Sequence, residues 1–452
     1  MRIIVGGAGN VGKSIVRYLS QGNNDIIVID INQQNLDELA KEYDIQPVLG
    51  SVSHPDILEM IDADKADMII AATDIDEVNL VACQVAYSLF NVPKKIARVD
   101  SKYFLNPLWN TLYNEKNLPV DLVISPDIEI AKAILRIIKI PGTCEVLPLA
   151  NNKLHLLSFK CNDSCPFLNH NASNIIKIGK DMEISIVALA RNGRTFMPKQ
   201  NETIQNNDEV YFLTETTKMN NAIAAFGLEH NHNEKIVIFG GNAISYYIAK
   251  QLENDNNVLS CHILEDNENA AKKLAQLLDN TVVLQGEMMS DFMLEEANID
   301  KADIAIAVTS KDKDNLLASL LSQMSGAAST LSLVNSKSFD NLVDNINSNV
   351  IVDRSNITIS NILQELRKAH LQDAHSLGRG FGEIWEIKID EDNLHSGKTI
   401  REMNLPEKCR IDAICRNEKI IYPSDDEKIQ VGDLLIVFVG TQAIKRAEKI
   451  FE

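Results

Sequence analysis

Nowhere does this chain of 452 residues run apolar for long. A helix that crosses a bilayer needs about 20 consecutive apolar residues, so no membrane span is expected. Positive charge is scarce as well: 44 Lys and Arg stand against 63 Asp and Glu, a formal net charge of −19. Binding a nucleic-acid backbone takes a concentrated Lys/Arg surface, and docking on anionic lipid takes a polybasic patch. Neither partner is expected. The seven cysteines are scattered and odd in number, which excludes a disulfide framework. Before the first glycines stand only Arg2 and a few apolar residues, too little for a secretory signal, and a cytosolic protein is expected. With 45% hydrophobic and 24% charged residues the composition is that of a globular chain. Its length is enough for about two to four domains.

What the chain does have is repetition, which organises the whole reading. The stretch VLGSVSHPDILEMIDADKADMIIAATDIDEVN matches VLQGEMMSDFMLEEANIDKADIAIAVTSKDKDN, with Asp67, Thr73 and Asn79 opposite Asp303, Thr309 and Asn315 at a constant offset of 236. Upstream, Gly7 stands opposite Gly240 at an offset of 233. A second pair, VALARNGRTFMPKQNETIQNNDEVYFL and AICRNEKIIYPSDDEKIQVGDLLIVF, aligns Arg191, Pro198 and Asp208 with Arg416, Pro423 and Asp433 at an offset of 225. The chain is a duplication. In each copy short β-branched runs such as RIIVG, DIIVID and DMIIAAT alternate with helical stretches such as NVGKSIVRYLSQ, the pattern of a parallel sheet covered on both faces.

The expected fold class is α/β, two tandem doubly wound parallel-sheet domains, each followed by a small α+β domain. The expected boundaries are 1–125 and 233–356 for the parallel-sheet domains, and 140–226 and 369–452 for the small ones. The halves meet near GLEHNHNEK, residues 227–235.

The loop VGGAGNVGKS (residues 5–14) fits two descriptions. Gly7, Gly9 and Gly12 spell the G-x-G-x-x-G turn of a dinucleotide-binding unit, while Gly7, Gly12, Lys13 and Ser14 spell a P-loop. A dinucleotide unit requires an acid at the end of the second strand to accept hydrogen bonds from a ribose. Asp30 closes DIIVID, 18 residues past Gly12. The second copy, FGGNAISYYIAK, has no Lys-Ser pair, yet Glu265 repeats the acid. The dinucleotide reading therefore prevails, with ATP or ADP as ligands that the same crevice could take. In the second copy Asn242 and Ser245 replace the later two glycines, so that loop is degenerate.

Other clusters read as structural. Asp74, Asp76 and Glu77 in TDIDE fit the opening of a helix, with Thr73 or Asp74 as its cap, better than a cation site. His230 and His232 lie in the polar linker. Cys161 and Cys165 have the wrong spacing for a zinc pair. Tyr246 and Lys250 give Y-x-x-x-K on the helix directly after the second loop, where they cannot face a nicotinamide. No catalytic residue and no metal ligand is expected, and the protein is not expected to be an enzyme. An NAD-dependent oxidoreductase is the main alternative and a P-loop ATPase the third.

The ordered set GGAGNVG, VID, GSVSHPDIL, DMIIAATDIDEVN, VACQVAYSLFNVP and KKIAR, followed by a second copy, resembles the TrkA family along the full chain. These are peripheral subunits of bacterial Trk potassium-uptake systems, built from two regulator-of-potassium-conductance (RCK) units. The resemblance implies a nucleotide-sensing regulatory subunit that binds NAD(H), or ATP or ADP in the same crevice. It implies a homo-oligomeric ring on the inner face of the cell membrane, gating an integral potassium-translocating subunit of the TrkH/TrkG type. Carried over, Gly7, Ala8, Gly9, Asn10, Val11 and Gly12 form the pyrophosphate turn and Asp30 binds ribose. Thr73 and Asp74 line the adenine side, and Arg98 reaches a phosphate. Their counterparts are Gly240, Gly241, Asn242, Ala243, Ile244, Glu265, Thr309 and Ser310. Leu333 stands opposite Arg98.

Overall fold

A computed structural model describes residues 1–452 except 21, 23, 102, 106, 141, 164, 171–183, 193, 200, 228–233, 336–348, 367–370, 378–380, 392 and 452. His230 and His232 lie outside the described residues. The chain divides into two compact units, Met1–Glu129 with Ser355–Leu366, and Ile130–Arg354 with Arg367–Glu452. Among the described residues no helix is long and apolar enough to cross a membrane.

The first unit carries a six-stranded parallel sheet of β1 (Arg2–Gly6), β2 (Asp25–Asp30), β3 (Gln46–Leu49), β4 (Met68–Ala71), β5 (Lys94–Arg98) and β6 (Leu122–Ile124). Its spatial order is 3-2-1-4-5-6, that of a dinucleotide-binding fold, with the order reversing between β1 and β4. Ile3, Ile4 and Val5 of β1 are fully buried; a strand covered on both faces reads as a continuous apolar run because neither face meets water. Helices α1 (Asn10–Leu19), α2 (Gln33–Glu42), α3 (Pro55–Met60) and α4 (Asp76–Phe90) provide the cover. On α1 the buried positions include Val11, Ile15, Val16 and Leu19, the helical spacing visible in the sequence.

The second unit repeats this sheet. After the segments α5 (Pro126–Lys139), β7 (Thr143–Leu149), β8 (Leu154–Lys160), β9 (Ile184–Arg191), β10 (Arg194–Phe196), β11 (Glu209–Glu215) and α6 (Met219–Ala225) come β12 (Glu234–Phe239), α7 (Ala243–Leu252), β13 (Val258–Glu265), α8 (Glu268–Leu277), β14 (Val282–Gln285), α9 (Asp291–Glu296), β15 (Ile304–Ala307), α10 (Asp312–Met324), β16 (Ser329–Val334) and β17 (Asn349–Asp353). The order β14-β13-β12-β15-β16-β17 is that of the first sheet. The next helix, α11 (Arg354–Leu366), contributes to the first unit from Ser355 onward. There Ser355 Oγ lies 3.0 Å from Ser14 Oγ, and Lys94 Nζ donates to Glu365 at 2.6 Å.

The two small domains are antiparallel sheets. The first orders its strands β10-β9-β11-β8-β7. The second comprises β18 (Asp373–Leu377), β19 (Gly382–Lys388), β20 (Cys409–Arg416), β21 (Lys419–Ile421) and β22 (Leu434–Gly440), and ends in α12 (Ile444–Phe451). Its order, β18-β19-β22-β20-β21, is the same one read from the other edge. The sheets share a core in which Leu156, Val187 and Leu213 meet Ile384, Ile436 and Phe438.

The second sequence repeat has a physical basis in these sheets. Arg191 places Nε and Nη2 on the two oxygens of Asp208 at 2.7 Å each, and Nη1 on Glu202 at 2.7 Å. Arg416 does the same with Asp433 at 2.8 and 2.9 Å and with Glu427 at 2.8 Å. Asp208 and Asp433 are fully buried. A planar guanidinium meets a carboxylate at two points, which lysine cannot do. Each aspartate also accepts a turn N–H, from Gln205 or Gln430, at 2.8 Å. The clamp thus ties the strand bearing the arginine to the loop before the sheet's central strand.

Removing the cation would leave a buried carboxylate unpaired, which costs about 3–5 kcal/mol. Arg416→Ala is accordingly expected to lower the stability of the second small domain by that amount, and Arg416→Lys to recover only part of it. Urea unfolding of the full chain, followed by the fluorescence of buried Trp385, reads both; a midpoint unchanged in Arg416→Ala would refute the clamp.

Candidate nucleotide site

The strand order reverses between β1 and β4, which run parallel, and at the carboxyl ends of these strands lie the loops after β1, β2, β4 and β5. Gly7 adopts φ +100°, and a Cβ there would come within 2.8 Å of Ala72 O and 2.9 Å of Thr73 N. A left-handed backbone with no room for a side chain requires glycine. Gly12 is just as constrained, since its Cβ would sit 1.9 Å from Gly7 O. Gly9 differs: nothing lies within 4 Å of its Cβ position, and its φ is an ordinary −74°. The fold itself does not demand glycine at position 9, so the open space beside it suits a bulky group pressed against the backbone.

Gly9 is also the N-cap of α1, and no side chain caps that helix. The first N–H groups of a helix have no partner within it and carry the positive end of its dipole. Here Asn10, Val11 and Gly12 supply them, in the arrangement that binds pyrophosphate elsewhere. Asp30, ending β2, accepts from Ala8 N at 2.5 Å and from Asn32 N at 2.7 Å. The acid therefore fastens the glycine loop to the following turn while retaining acceptor capacity, because a carboxylate offers about four lone-pair sites.

Thr73 stands after β4, but it does not cap α4 as the sequence suggested. The N-cap is Ile75, without a side-chain bond. The reason lies in Asn79, fully buried on α4, which draws the threonine inward. Asn79 Oδ1 accepts from Thr73 N at 2.9 Å and from Thr73 Oγ1 at 2.7 Å, while its Nδ2 donates to Thr73 O at 3.0 Å and Arg98 O at 2.9 Å. One amide thereby joins β4, α4 and β5. Asp74 is not a cap either: it accepts from Arg98 Nη1 at 2.7 Å with its own side chain 87% exposed. Arg98 also donates through Nε to Asp100 at 2.7 Å. Burial opposes the Arg98 charge, but Asp100 and Asp74 outweigh it and hold the guanidinium pKa above its ordinary value. For Asp100 burial prevails over Arg98 and pushes the carboxyl up. Asp76 opens α4 as expected and accepts from Asp100 N and Ser101 N at 3.0 and 2.8 Å. From the sequence alone Asn79 and Asp100 carry no role at this crevice, and Asp76 only that of opening the helix. The repeat signal at Asn79 was present without a role, and the other two depend on a contact between loops.

Lys13 pairs with Glu38 on α2 at 2.8 Å, so the lysine that a P-loop would hold on phosphate is engaged by a carboxylate. Lys250 pairs with Asp279 at 2.6 Å and Glu253 at 3.1 Å, not with a proton-transfer partner. Cys161 and Cys165 are buried free thiols.

The second copy reproduces the frame but not the donors. Gly240 has φ +101°. Glu265 accepts from Gly241 N and, at 2.8 Å, from Asn267 N. Asn315 repeats Asn79 bond for bond on Thr309, and reaches Leu333 O at 2.8 Å. Ser310 is exposed beside Thr309. At the position of Gly9, however, Asn242 accepts from Ile244 N at 2.9 Å and Ser245 N at 3.2 Å, and Ser245 Oγ accepts from Asn242 N at 2.8 Å. This capping box occupies donors that the first copy leaves to the crevice. Ala243 begins the helix it caps.

The TrkA-N domain family model matches residues 3–126 and again 236–354, and the TrkA-C domain model matches residues 384–452. The Trk system potassium uptake protein TrkA of Azorhizobium caulinodans is 32% identical over 451 residues, covering 100% of this chain and 98% of its own length. The protein of that name from Halomonas elongata is 32% identical over 456 residues, covering 100% and 99%. Among solved structures, the GsuK RCK domain has a TM-score of 0.64 at 18% identity, covering 100% of this chain and 94% of that one. The GsuK channel bound to NAD has a TM-score of 0.63 at 18% identity, covering 100% and 78%. At this identity the likeness speaks for the fold.

The two glycines separate fold from ligand. Gly9→Ala is expected to cost at most about 1 kcal/mol of stability yet to abolish NADH binding, because the new methyl fills the open space. Gly12→Ala should instead destabilise the domain by about 1–3 kcal/mol through the clash with Gly7 O. Urea midpoints and calorimetric NADH titration read the two effects, and a Gly9→Ala protein binding NADH like the parent would disprove the placement.

Proposed function

The chain belongs to the TrkA family of Trk system potassium uptake proteins, and on that premise we propose that it is the nucleotide-sensing regulatory subunit of such a system. It binds NAD(H), or ATP or ADP in the same crevice, through the first parallel-sheet domain. It assembles as a homo-oligomeric ring on the inner face of the membrane and gates an integral potassium-translocating subunit. The observation that carries this reading is the uncapped start of α1 beside Gly9 and Asp30, set against the self-capped start of α7 in an otherwise matching frame.

The residues take distinct roles. Gly7 and Gly12 shape the turn, the N–H groups of Asn10, Val11 and Gly12 receive a pyrophosphate, and Ala8 is held in place by Asp30. The remaining acceptor sites of Asp30 take ribose hydroxyls. Thr73 and Asp74 border the adenine side. Arg98 can exchange the exposed Asp74 for a ligand phosphate at little cost, because a pair with one partner in water is worth about 0–1 kcal/mol. The corresponding residues of the second copy, Gly240 to Ile244 with Glu265, Thr309 and Ser310, would receive a nucleotide only after Asn242 releases its helix. One tight site per chain is the consequence. The family is one of transport proteins rather than oxidoreductases, and no hydride acceptor is called for. A ligand of this kind acts by binding one state of the ring better than another.

Calorimetric titration of the full chain with NADH, NAD+, ATP and ADP should give one tight site per chain. Asp30→Ala should weaken it about 10–100-fold, the loss of hydrogen bonds to a charged acceptor. In cells lacking the protein, potassium uptake at low external concentration should fall, return with the parent chain, and respond differently with Asp30→Ala. Uptake indifferent to the protein would overturn the transport role; unaltered affinity in Asp30→Ala would overturn the site.

A further inference from the structure

We propose that Asp373, His375 and Glu386 of the second small domain form a binding site for a divalent transition cation of the zinc class. Strands β18 and β19 pair antiparallel, with Asp373 directly opposite Glu386. His375, two residues along β18, falls on the same face as Asp373, since side chains alternate along a strand. The topology therefore puts one imidazole and two carboxylates on one patch of sheet, and their ligand atoms all lie within 4.8 Å of one another. Tetrahedral ligands about 2.0–2.2 Å from zinc stand about 3.4 Å apart, a contraction that side-chain rotation supplies.

Two further observations favour a cation over a chance grouping. His375 Nε2 is buried and, among the described residues, makes no hydrogen bond; its nearest partner is Asp373 Oδ2 at 3.4 Å. Glu386 is 4% exposed, and both its oxygens share a single donor, Ala150 N, at 3.2 Å. One N–H leaves most of a carboxylate's acceptor capacity unused, and beside it the imidazole Nε2 has, among the described residues, no closer partner than the Asp373 carboxylate at 3.4 Å, itself a proposed ligand. A nitrogen ligand with two carboxylates suits zinc or its neighbours better than calcium or magnesium, which take oxygen throughout. Three protein ligands leave a fourth position for water. Because Ala150 lies in the turn between β7 and β8, the cation would also fix the carboxylate through which the second small sheet holds that turn.

The test uses the full chain, stripped with chelator and then titrated with Zn2+ alone, alongside His375→Gln and Asp373→Asn. Asp373 is half-buried and His375 18% exposed at the side chain, and circular dichroism of the metal-free proteins checks that each variant folds. The parent should bind one Zn2+ more per chain than either variant, or bind it at least ~10-fold tighter. Zn2+ should raise its thermal midpoint while leaving those of the variants in place. Co2+ provides a reading that needs no variant. Histidine and carboxylate ligands give weak visible bands alone, whereas cysteine ligation adds intense thiolate charge transfer. Equal Zn2+ binding by all three proteins, or a thiolate spectrum in the parent, would overturn the proposal.

Discussion

The start of a helix exposes N–H groups that nothing within the helix can satisfy, and the two copies of this fold meet that demand differently. In the second, Asn242 turns its side chain back on Ile244 and Ser245 and the demand is met internally. In the first, glycine stands at the same place and no side chain caps the helix, so the donors face the crevice. A capping side chain is worth about 0.5–2 kcal/mol to its helix. An anion must compete with that stabilisation in the second copy and with water alone in the first. On the proposed function, this difference, rather than any difference in the sheets, sets where a nucleotide is best received.

The sheets themselves are held to one design. Asn79 and Asn315, buried at the same place in their domains, each make four bonds that join the end of one strand to the next helix and strand. Leaving such a group unsatisfied costs about 1–3 kcal/mol per buried donor or acceptor, so the amide is retained in both copies whether or not a ligand is bound. The groups that vary lie at the rim, where change is cheap. Arg98 becomes Leu333, while the Asp76 contact to the following loop recurs as Asp312 accepting from Asn335 N at 3.1 Å. Asp74, almost wholly in water, can let go of Arg98 without disturbing the amide beneath.

Much of this was legible in the sequence because it follows from periodicity and repetition. The buried run Ile3–Val5 and the spacing of Val11, Ile15, Val16 and Leu19 gave a parallel sheet and its covering helix. Gly7, Gly12 and Asp30 announced the loop. The alignment of Arg191 with Arg416 and of Asp208 with Asp433 marks a repeat without a role, and only the structure shows guanidinium on carboxylate. Less visible was anything that depends on two loops meeting. Thr73 looked like a cap because threonine before an acidic helix start commonly is one, and Asn79, six residues on, overrode that local preference. Nor does chain order reveal that α11 contributes to the first unit, or that a glutamate on β19 reaches the turn at Ala150, since both are long-range contacts that no local pattern encodes.

A regulator of this kind can shift an equilibrium only by the difference in affinity between the states it chooses among. Moving a two-state system from 1:99 to 99:1 takes about 5.5 kcal/mol of that difference, more than the few hydrogen bonds of one adenosine ribose and pyrophosphate can reasonably vary. In the proposed ring the requirement would be divided among the subunits that bind, so each site would need to discriminate only modestly. Duplication within the chain then carries no need for both halves to respond. The second parallel-sheet domain can use its helix start for its own stability and keep the frame that its strands require, while the first keeps a helix start uncapped, less stable by itself and open to the ligand. The same asparagine-for-glycine exchange that strengthens one copy is what the other must avoid.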